Sequence, residues 1–330
     1  MGTIRVATLN VENLLQRFNF HSYGQLSSER ALRLLGVGED TPEYMPLRKS
    51  LAIALTDDSR QQTGQAIRDT EADIICLQEV ENKAILDDFH QFYLNRTGCA
   101  HYGWRRCLEG NDTRGIDVAV MSRQRIKVTS HAEVTFGDLD LFNEELCQYG
   151  LSEGESIFRR DCLEVTVMVG AKPLSIFVCH FKSMSGGREQ TRCVREAEAE
   201  AVRQIITNSF PDPATGDWLI VGDLNDYISE PGHGLGPLFG DGFACNLLER
   251  LPEEERWTHY YPGGNAKHQI DYILASPALA AWNPSAVPTV IRGGQPYRVP
   301  GLAELSRYPR TGYDRPKASD HCPVAITLEL

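Results

Sequence analysis

Runs of apolar residues that stop abruptly on polar ones punctuate this chain. The clearest is Trp218-Leu219-Ile220-Val221, which reads as a buried strand ending at Gly222 and leads at once to Asp223, Asn225 and Asp226. Carboxylates and an amide at the end of a buried strand are costly unless they meet a cation or a polar ligand. Strand ends are also where ligands collect in α/β sheets. In extended chain Asp223 and Asn225 point to one side and Asp226 to the other, which leaves Asp226 outside the candidate chemistry.

The same signature recurs along the sequence. Residues 4–9 (IRVATL) predict a strand ending on Asn10, and 74–77 a strand ending near Glu79. Residues 174–181 (LSIFVCHF) carry His180, 269–274 (QIDYIL) carry Asp271, and 322–329 follow Asp320 and His321. Residues 161–169 are expected to pair with 174–181 around a turn at 171–173, and 116–122 with 125–134 around a tight turn. Helices are expected over 47–70, 82–95 and 188–208, the last with Val194, Ala197, Ala201 and Ile205 on one face. Periodicity is lost over 17–46, apart from a short helix at 29–35, and over 98–112, 137–155, 227–266 and 277–317. Strands spread over the whole length predict one domain of residues 1–330 with two sheets. Segments near 17–46, 137–155 and 277–317 are then expected as insertions on the rim of a cleft.

Composition narrows the class. A chain of 330 residues can bury a substantial core, and without a run of 18 apolar residues it has no helical membrane span. The N-terminus enters a strand-like run without the pattern of a secretory signal. Nine scattered cysteines, odd in number and never spaced C-x-x-C, favour a reducing compartment and argue against structural zinc. A cytoplasmic monomer without a protein partner is the resulting expectation. The formal charge of −12 weighs against a dedicated nucleic-acid binder, but a site that meets phosphate through a divalent cation needs only local positive charge.

Each strand-end group has an ordinary reading by itself. Asn10 and His180 suit a turn or a satisfied buried position, and Glu79 suits the first turn of the following helix. Asp320 suits an N-cap, and Asp271 a partner for the Tyr272 hydroxyl. Together they assemble a chemistry. Mg²⁺ takes oxygen ligands, keeps several waters and needs one or two carboxylates, which Glu79 and Asp320 supply beside the neutral oxygen of Asn10. Hydrolysis of a phosphoester also needs an activated water, donors for the developing charge and an acid for the leaving oxygen. Asp223, Asn225, His180 and His321 are groups of those types.

The strings LNVEN, LQEVEN, HFKS, GDLND, IDYILAS and SDHCPV occur in that order across nearly the whole chain. In combination they resemble the endonuclease/exonuclease/phosphatase superfamily with its DNase I-like fold. That resemblance implies a four-layer α/β sandwich of two packed, mostly antiparallel β-sheets flanked by helices. It implies Asn10 and Glu79 at the metal, with Glu79 the principal ligand and Asp320 bound directly or through water. Asp223 would activate or position the nucleophilic water, Asn225 would hold the scissile phosphate, and His321 would contact the phosphate, oriented by Asp271. A carboxylate behind an imidazole fixes its tautomer and stabilises its charged form. His180 would be the second histidine, assigned to the leaving group, with Asp117 as a candidate partner. Mg²⁺ is the implied cofactor and Mn²⁺ is compatible; one ion or two, and base or acid for Asp223, stay open. The chain has Ile270-Asp271-Tyr272 where inositol-polyphosphate phosphatases of the superfamily carry Cys-Asp-Arg, which lowers that substrate class. HFKS, Gly186-Gly187 and EVEN look most like bacterial nuclease-like members.

Three cations are candidate phosphate grips. Lys182 falls two residues after His180, and Arg159 and Arg160 precede a strand; the alternatives are an exposed lysine and a pair balancing Glu153, Glu155 and Asp161. Arg188, Arg192 and Arg195 are expected on a solvated helix face. Trp257, Tyr260 and Tyr261 read either as a stacking surface or as core plugs. GHGLG (232–236) follows no strand and is no nucleotide fingerprint, and no G-x-S-x-G, H-E-x-x-H or P-loop string occurs. The leading reading is a Mg²⁺- or Mn²⁺-dependent phosphodiesterase acting on nucleic acid. A phosphatase or phospholipid diesterase acting on a small or lipid head group (sphingomyelinase-like or inositol-phosphate-like) is the alternative, and a scaffold without catalysis the third.

Overall fold

The structure, a computed structural model, describes residues 2–15, 32, 36–38 and 40–330. The loop expected over 17–46 and the short helix expected at 29–35 lie largely outside the described residues.

The first half of the chain builds one sheet. Strand β1 (Thr3–Leu14) is followed by helix α1 (Tyr44–Thr70), β2 (Ile74–Val80), α2 (Lys83–Phe92), β3 (Trp104–Cys107) and β4 (Asp117–Ser122). The second half continues with β5 (Ile126–Thr129), β6 (Cys162–Val169), β7 (Lys172–His180), α3 (Arg192–Ser209), β8 (Trp218–Asp223) and β9 (Cys245–Asn246). It ends with β10 (His259–Tyr261), β11 (Ala266–His268), β12 (Asp271–Ala275), β13 (Thr289–Val290) and β14 (Val324–Glu329). Two six-stranded sheets result, ordered β13-β14-β1-β2-β4-β3 and β5-β6-β7-β8-β12-β9, and β10 and β11 form a separate hairpin. Each large sheet is antiparallel except for one central parallel pair, β1/β2 and β7/β8. A parallel pair needs a long crossover, and α1 and α3 supply it.

Side-chain alternation builds the layers. Ile4, Val6, Ile74 and Val120 of one sheet meet Val165, Ile176, Val221 and Ile273 of the other in the central core. The opposite faces are equally apolar: Leu9, Ile75 and Met121 lie under Ile67 of α1 and Phe89 of α2, and Phe177, Trp218 and Leu274 lie under Val194, Ala201 and Ile205 of α3. Strands buried on both faces read as continuous apolar runs, which is why they were legible. The architecture is the expected four-layer α/β sandwich.

Several expectations need correction. The segment 98–112 contains an edge strand, β3, whose half-buried WRRC lacks any apolar alternation. Strands β4 and β5 are not a hairpin, because β4 pairs with β2 and β3 while β5 pairs with β6 in the other sheet. The tight turn between them is the passage from one sheet to the other. The loop-rich 227–266 holds β9, β10 and part of β11, strands of two or three residues that are too short to carry a period. Short helices also lie in 137–155 (Glu144–Gln148) and 277–317 (Pro277–Trp282).

The pleat breaks where the functional candidates lie. Register slips between Asn10 and Leu14 in β1/β2 and between Gln78 and Val80 in β2/β4. Glu12, Asn13, Glu79 and Asn225 all have positive φ. Such backbone is held only when its surroundings over-determine it, and it collects at functional sites. Gly222, at φ +133, lets β8 approach β7, since a Cβ there would sit 2.0 Å from the Cys179 carbonyl oxygen.

Candidate active site

Strand register places the first three groups side by side. His180 is opposite Asp223 in the parallel β7/β8 pair, and Asp223 is opposite Asp271 in the antiparallel β8/β12 pair. The facing sheet brings Asn10 at the bulge of β1 and Glu79 at the left-handed position of β2. A hydrogen bond from Asn10 Nδ2 to Asp223 Oδ2 at 3.1 Å ties the two sheets together here. Asp320 and His321 enter just before β14, where Ser319 Oγ donates to the Asn10 carbonyl at 2.7 Å and His321 N donates to Ser319 Oγ at 3.0 Å.

The buried trio of Asp223, Asp271 and His321 is the tightest part. Its ligand-type atoms all lie within 4.8 Å of one another. Asp271 Oδ2 is 2.9 Å from His321 Nδ1, and Asp223 Oδ2 is 3.8 Å from His321 Nε2. Burial disfavours the charged imidazole, but Asp271, Asp223 and Asp320 outweigh it and raise its pKa well above the ordinary value. Burial pushes the Asp223 carboxyl up to about 7, against the pull of His321. Asn225 caps this carboxylate with its N–H, 2.9 Å from Asp223 Oδ1, while its Nδ2 donates to the Phe181 carbonyl at 3.0 Å. The two residues share the cleft because Asn225 is left-handed; β8 has already ended at Asp223.

His180 has a different partner from the expected one. Arg160, itself buried, sets Nη2 3.0 Å from His180 Nε2 and Nε 3.3 Å from Nδ1. Asp117 instead accepts from the Gly110 N–H at 2.8 Å, and burial pushes its carboxyl up to about 6. Burial, then the Arg160 charge, holds His180 well below the ordinary imidazole range. Its Nε2 lies 3.6 Å from Asp223 Oδ2 and 4.0 Å from Glu79 Oε1.

Glu79 and Asn10 line the cleft, and Asp320 lies near enough for its charge to act on Glu79. Burial and then the Asp320 charge raise the Glu79 pKa. Burial also opposes ionisation of Asp320, but Lys317, His321, His259 and Arg315 outweigh it and hold its pKa below the usual range. Two crowded carboxylates and an amide oxygen suit a hard divalent cation in residue type and charge.

A cleft of about 530 Å³ opens over these groups, lined by Asn10, Glu79, His180, Asp223, Asn225 and His321 among others. It runs into a groove of about 380 Å³ lined by Arg114, Arg159, Arg160 and Lys182 and by Asp112, which lies 3.2 Å from Arg114 and 3.6 Å from Arg160. The three candidate grips therefore separate. Arg160 lines both spaces, whereas Arg159, 3.8 Å from Glu155, and Lys182 line only the groove, because β7 ends at His180 and Lys182 does not continue its face.

Other residues escaped the sequence reading. Glu12, two residues after Asn10 in the same string, accepts the Asp320 N–H at 3.1 Å and pairs with Lys317 at 3.1 Å and with Arg315. His259 packs against His321 with ring centroids 4.7 Å apart, and the β10/β11 hairpin that carries it is too short to predict. Arg195, expected on a solvated face, is fully buried and pairs with the equally buried Asp226 at 2.8 Å. Asp226 does point away from the cleft, and Arg188 binds it as well, at 2.7 Å.

The model of the endonuclease/exonuclease/phosphatase family matches residues 50–321. Among solved structures, truncated TDP2 of Caenorhabditis elegans is similar at 15% identity and TM-score 0.55, covering 99% of this chain and 98% of that one. A family protein from Bacteroides thetaiotaomicron is similar at 13% identity and TM-score 0.57, covering 99% and 98%. The human Nocturnin catalytic domain, with bound sulfate, is similar at 14% identity and TM-score 0.56, covering 99% and 94%. Among curated proteins none matches the chain. At these identities the structural likeness speaks for the DNase I-like fold alone. The family match, over most of the sequence, says more: the chain belongs to the endonuclease/exonuclease/phosphatase family of metal-dependent phosphoester hydrolases.

Proposed function

We propose that the chain is a nuclease, hydrolysing phosphodiester bonds of nucleic acid by in-line attack of an activated water with Mg²⁺ as the cofactor. The observation that carries this reading is the continuity of the acidic cleft with the groove of Arg114, Arg159, Arg160 and Lys182. In a chain of net charge −12, cations gathered beside a hydrolytic centre suit a substrate with further phosphates flanking the scissile one.

Glu79, Asp320 and Asn10 would hold the ion. When bound, it would polarise the phosphoryl oxygens and neutralise developing charge. Asp223, titrating near neutrality, takes the proton of the attacking water. Asn225 and the charged His321 donate to the phosphoryl oxygens, and Asp271 holds the His321 tautomer. Arg160 fixes the His180 ring and presents positive charge at the junction of cleft and groove. The Asp223–Asp271–His321 cluster is the other place where a cation could sit. The 2.9 Å Asp271–His321 hydrogen bond favours its use as an acid–base set instead. A cytoplasmic location is part of the same reading, supported by the scattered, unpaired cysteines.

The test is a substrate panel of plasmid, single-stranded DNA, RNA, sphingomyelin and inositol phosphates, each with Mg²⁺ and with chelator. Metal-dependent cleavage of a nucleic acid is expected. Turnover of only the lipid or inositol substrates would transfer the assignment to the head-group reading.

A further inference from the structure

The cleft is also lined by Tyr227, Tyr261, His268 and Ile270, none of which lines the cationic groove. None of these carries a fixed positive charge. Tyr227 and His268 are stacked, with centroids 4.2 Å apart and planes 14° from parallel. The Arg188 guanidinium covers Tyr227 at 4.0 Å and is held by Asp226 at 2.7 Å and by the Tyr227 carbonyl at 3.0 Å. Asp226 is locked in turn by the buried Arg195, so the three-layer stack of guanidinium, phenol and imidazole is anchored to α3. The other end is tied to the reacting centre: His268 is opposite His259 in the β10/β11 pair, and His259 packs on His321.

We propose that the Tyr227–His268 stack seats a nucleobase next to the scissile phosphate, which makes the substrate a polynucleotide rather than a lipid or inositol head group. This rests on the nuclease reading above and sharpens it. A planar base continues a parallel stack of rings and gains on every face it covers, whatever its sequence. A quaternary ammonium head group would meet the Arg188 charge behind Tyr227 instead of an open aromatic cage. An inositol polyphosphate would need cations lining this wall, and the Arg188 behind Tyr227 is already engaged by Asp226 and the Tyr227 carbonyl. With phosphates in the groove and a base on the stack, the strand crosses the centre in a single orientation.

The experiment compares kcat/KM, with Mg²⁺, for a short single-stranded oligonucleotide holding one cleavable linkage and for the same oligonucleotide with tetrahydrofuran in place of the base flanking that linkage on either side in turn. For wild type, removing the base on one side is expected to lower kcat/KM by about 5- to 150-fold, the worth of one stacked base. In His268→Ala this ratio collapses to within about threefold, and in His268→Phe, which keeps a planar ring, it returns. Equal cleavage of all three oligonucleotides by wild type, or an unchanged ratio in His268→Ala, overturns the proposal and leaves the nuclease reading standing. No cleavage of any oligonucleotide, with turnover of sphingomyelin or inositol phosphate, overturns both.

Discussion

The imidazole of His321 stands 2.9 Å from the Asp271 carboxylate, and Asp271 is the register partner of Asp223 across β8 and β12. One strand pair therefore delivers both the residue that orients the histidine and the residue that handles the water. Asp271→Asn preserves the shape and removes the charge that keeps His321 protonated. The expected outcome is a fall in kcat of about 10²- to 10⁴-fold with KM changed by less than about threefold. Steady-state kinetics on the cleaved substrate checks it, and a loss confined to KM would contradict the assignment.

Arg195 and Asp226 form a fully buried ion pair at 2.8 Å, and removing Arg195 leaves the buried carboxylate with Arg188, at 2.7 Å, as its cation. Arg195→Met is expected to destabilise the protein by about 2 kcal/mol, the worth of the charge-assisted bonds lost, because Arg188 still compensates Asp226. In urea denaturation the Arg195→Met/Asp226→Asn double variant is expected to recover part of that loss. A single variant as stable as wild type would show the pair to be dispensable.

His90 is buried and accepts the Tyr102 N–H at 3.3 Å, and burial lowers its pKa to about 4. The unfolded chain binds this proton near pH 6.5 and the native protein only near pH 4, so the unfolded state holds more protons in between. The contribution is fully present above pH 6.5 and is lost as pH falls toward 4. His90→Gln is expected to flatten the dependence of Tm on pH in that window. Parallel curves for wild type and variant would contradict it.

Gly222→Ala places a methyl group 2.0 Å from the Cys179 carbonyl oxygen at φ +133, between the strands that carry His180 and Asp223. A destabilisation of more than about 1 kcal/mol is expected. The variant that remains folded is also expected to lose activity. Thermal melting and specific activity per folded molecule measure the two effects.

Much of the fold was legible because its central strands are buried on both faces and stand out as runs such as Trp218–Val221 and Ile74–Leu77. What failed were elements without a period. Strand β3 is an edge of half-buried arginines, and the β10/β11 hairpin has three residues in each strand. The strand-end groups were visible as polar residues closing apolar runs; Asn10, Glu79, His180, Asp223, Asn225 and His321 line one cleft, and Asp271 stands behind His321. Their pairing was not visible. Asp117 was the expected partner of His180, and only the three-dimensional path brings the Arg160 guanidinium to the ring and Asp117 to the Gly110 N–H. Arg195 was misplaced for a similar reason: helical periodicity tells which residues share a face but not that Asp226 waits opposite.

Cleavage of a labelled oligonucleotide by wild type and Glu79→Gln, each with Mg²⁺ and with excess chelator, tests the central assignment most directly. Wild type is expected to cleave with Mg²⁺, to stop with chelator and to recover when Mg²⁺ is restored, while Glu79→Gln slows by about 10²-fold or more at equal Mg²⁺. Cleavage that is indifferent to chelator, or Glu79→Gln at the wild-type rate, would contradict it.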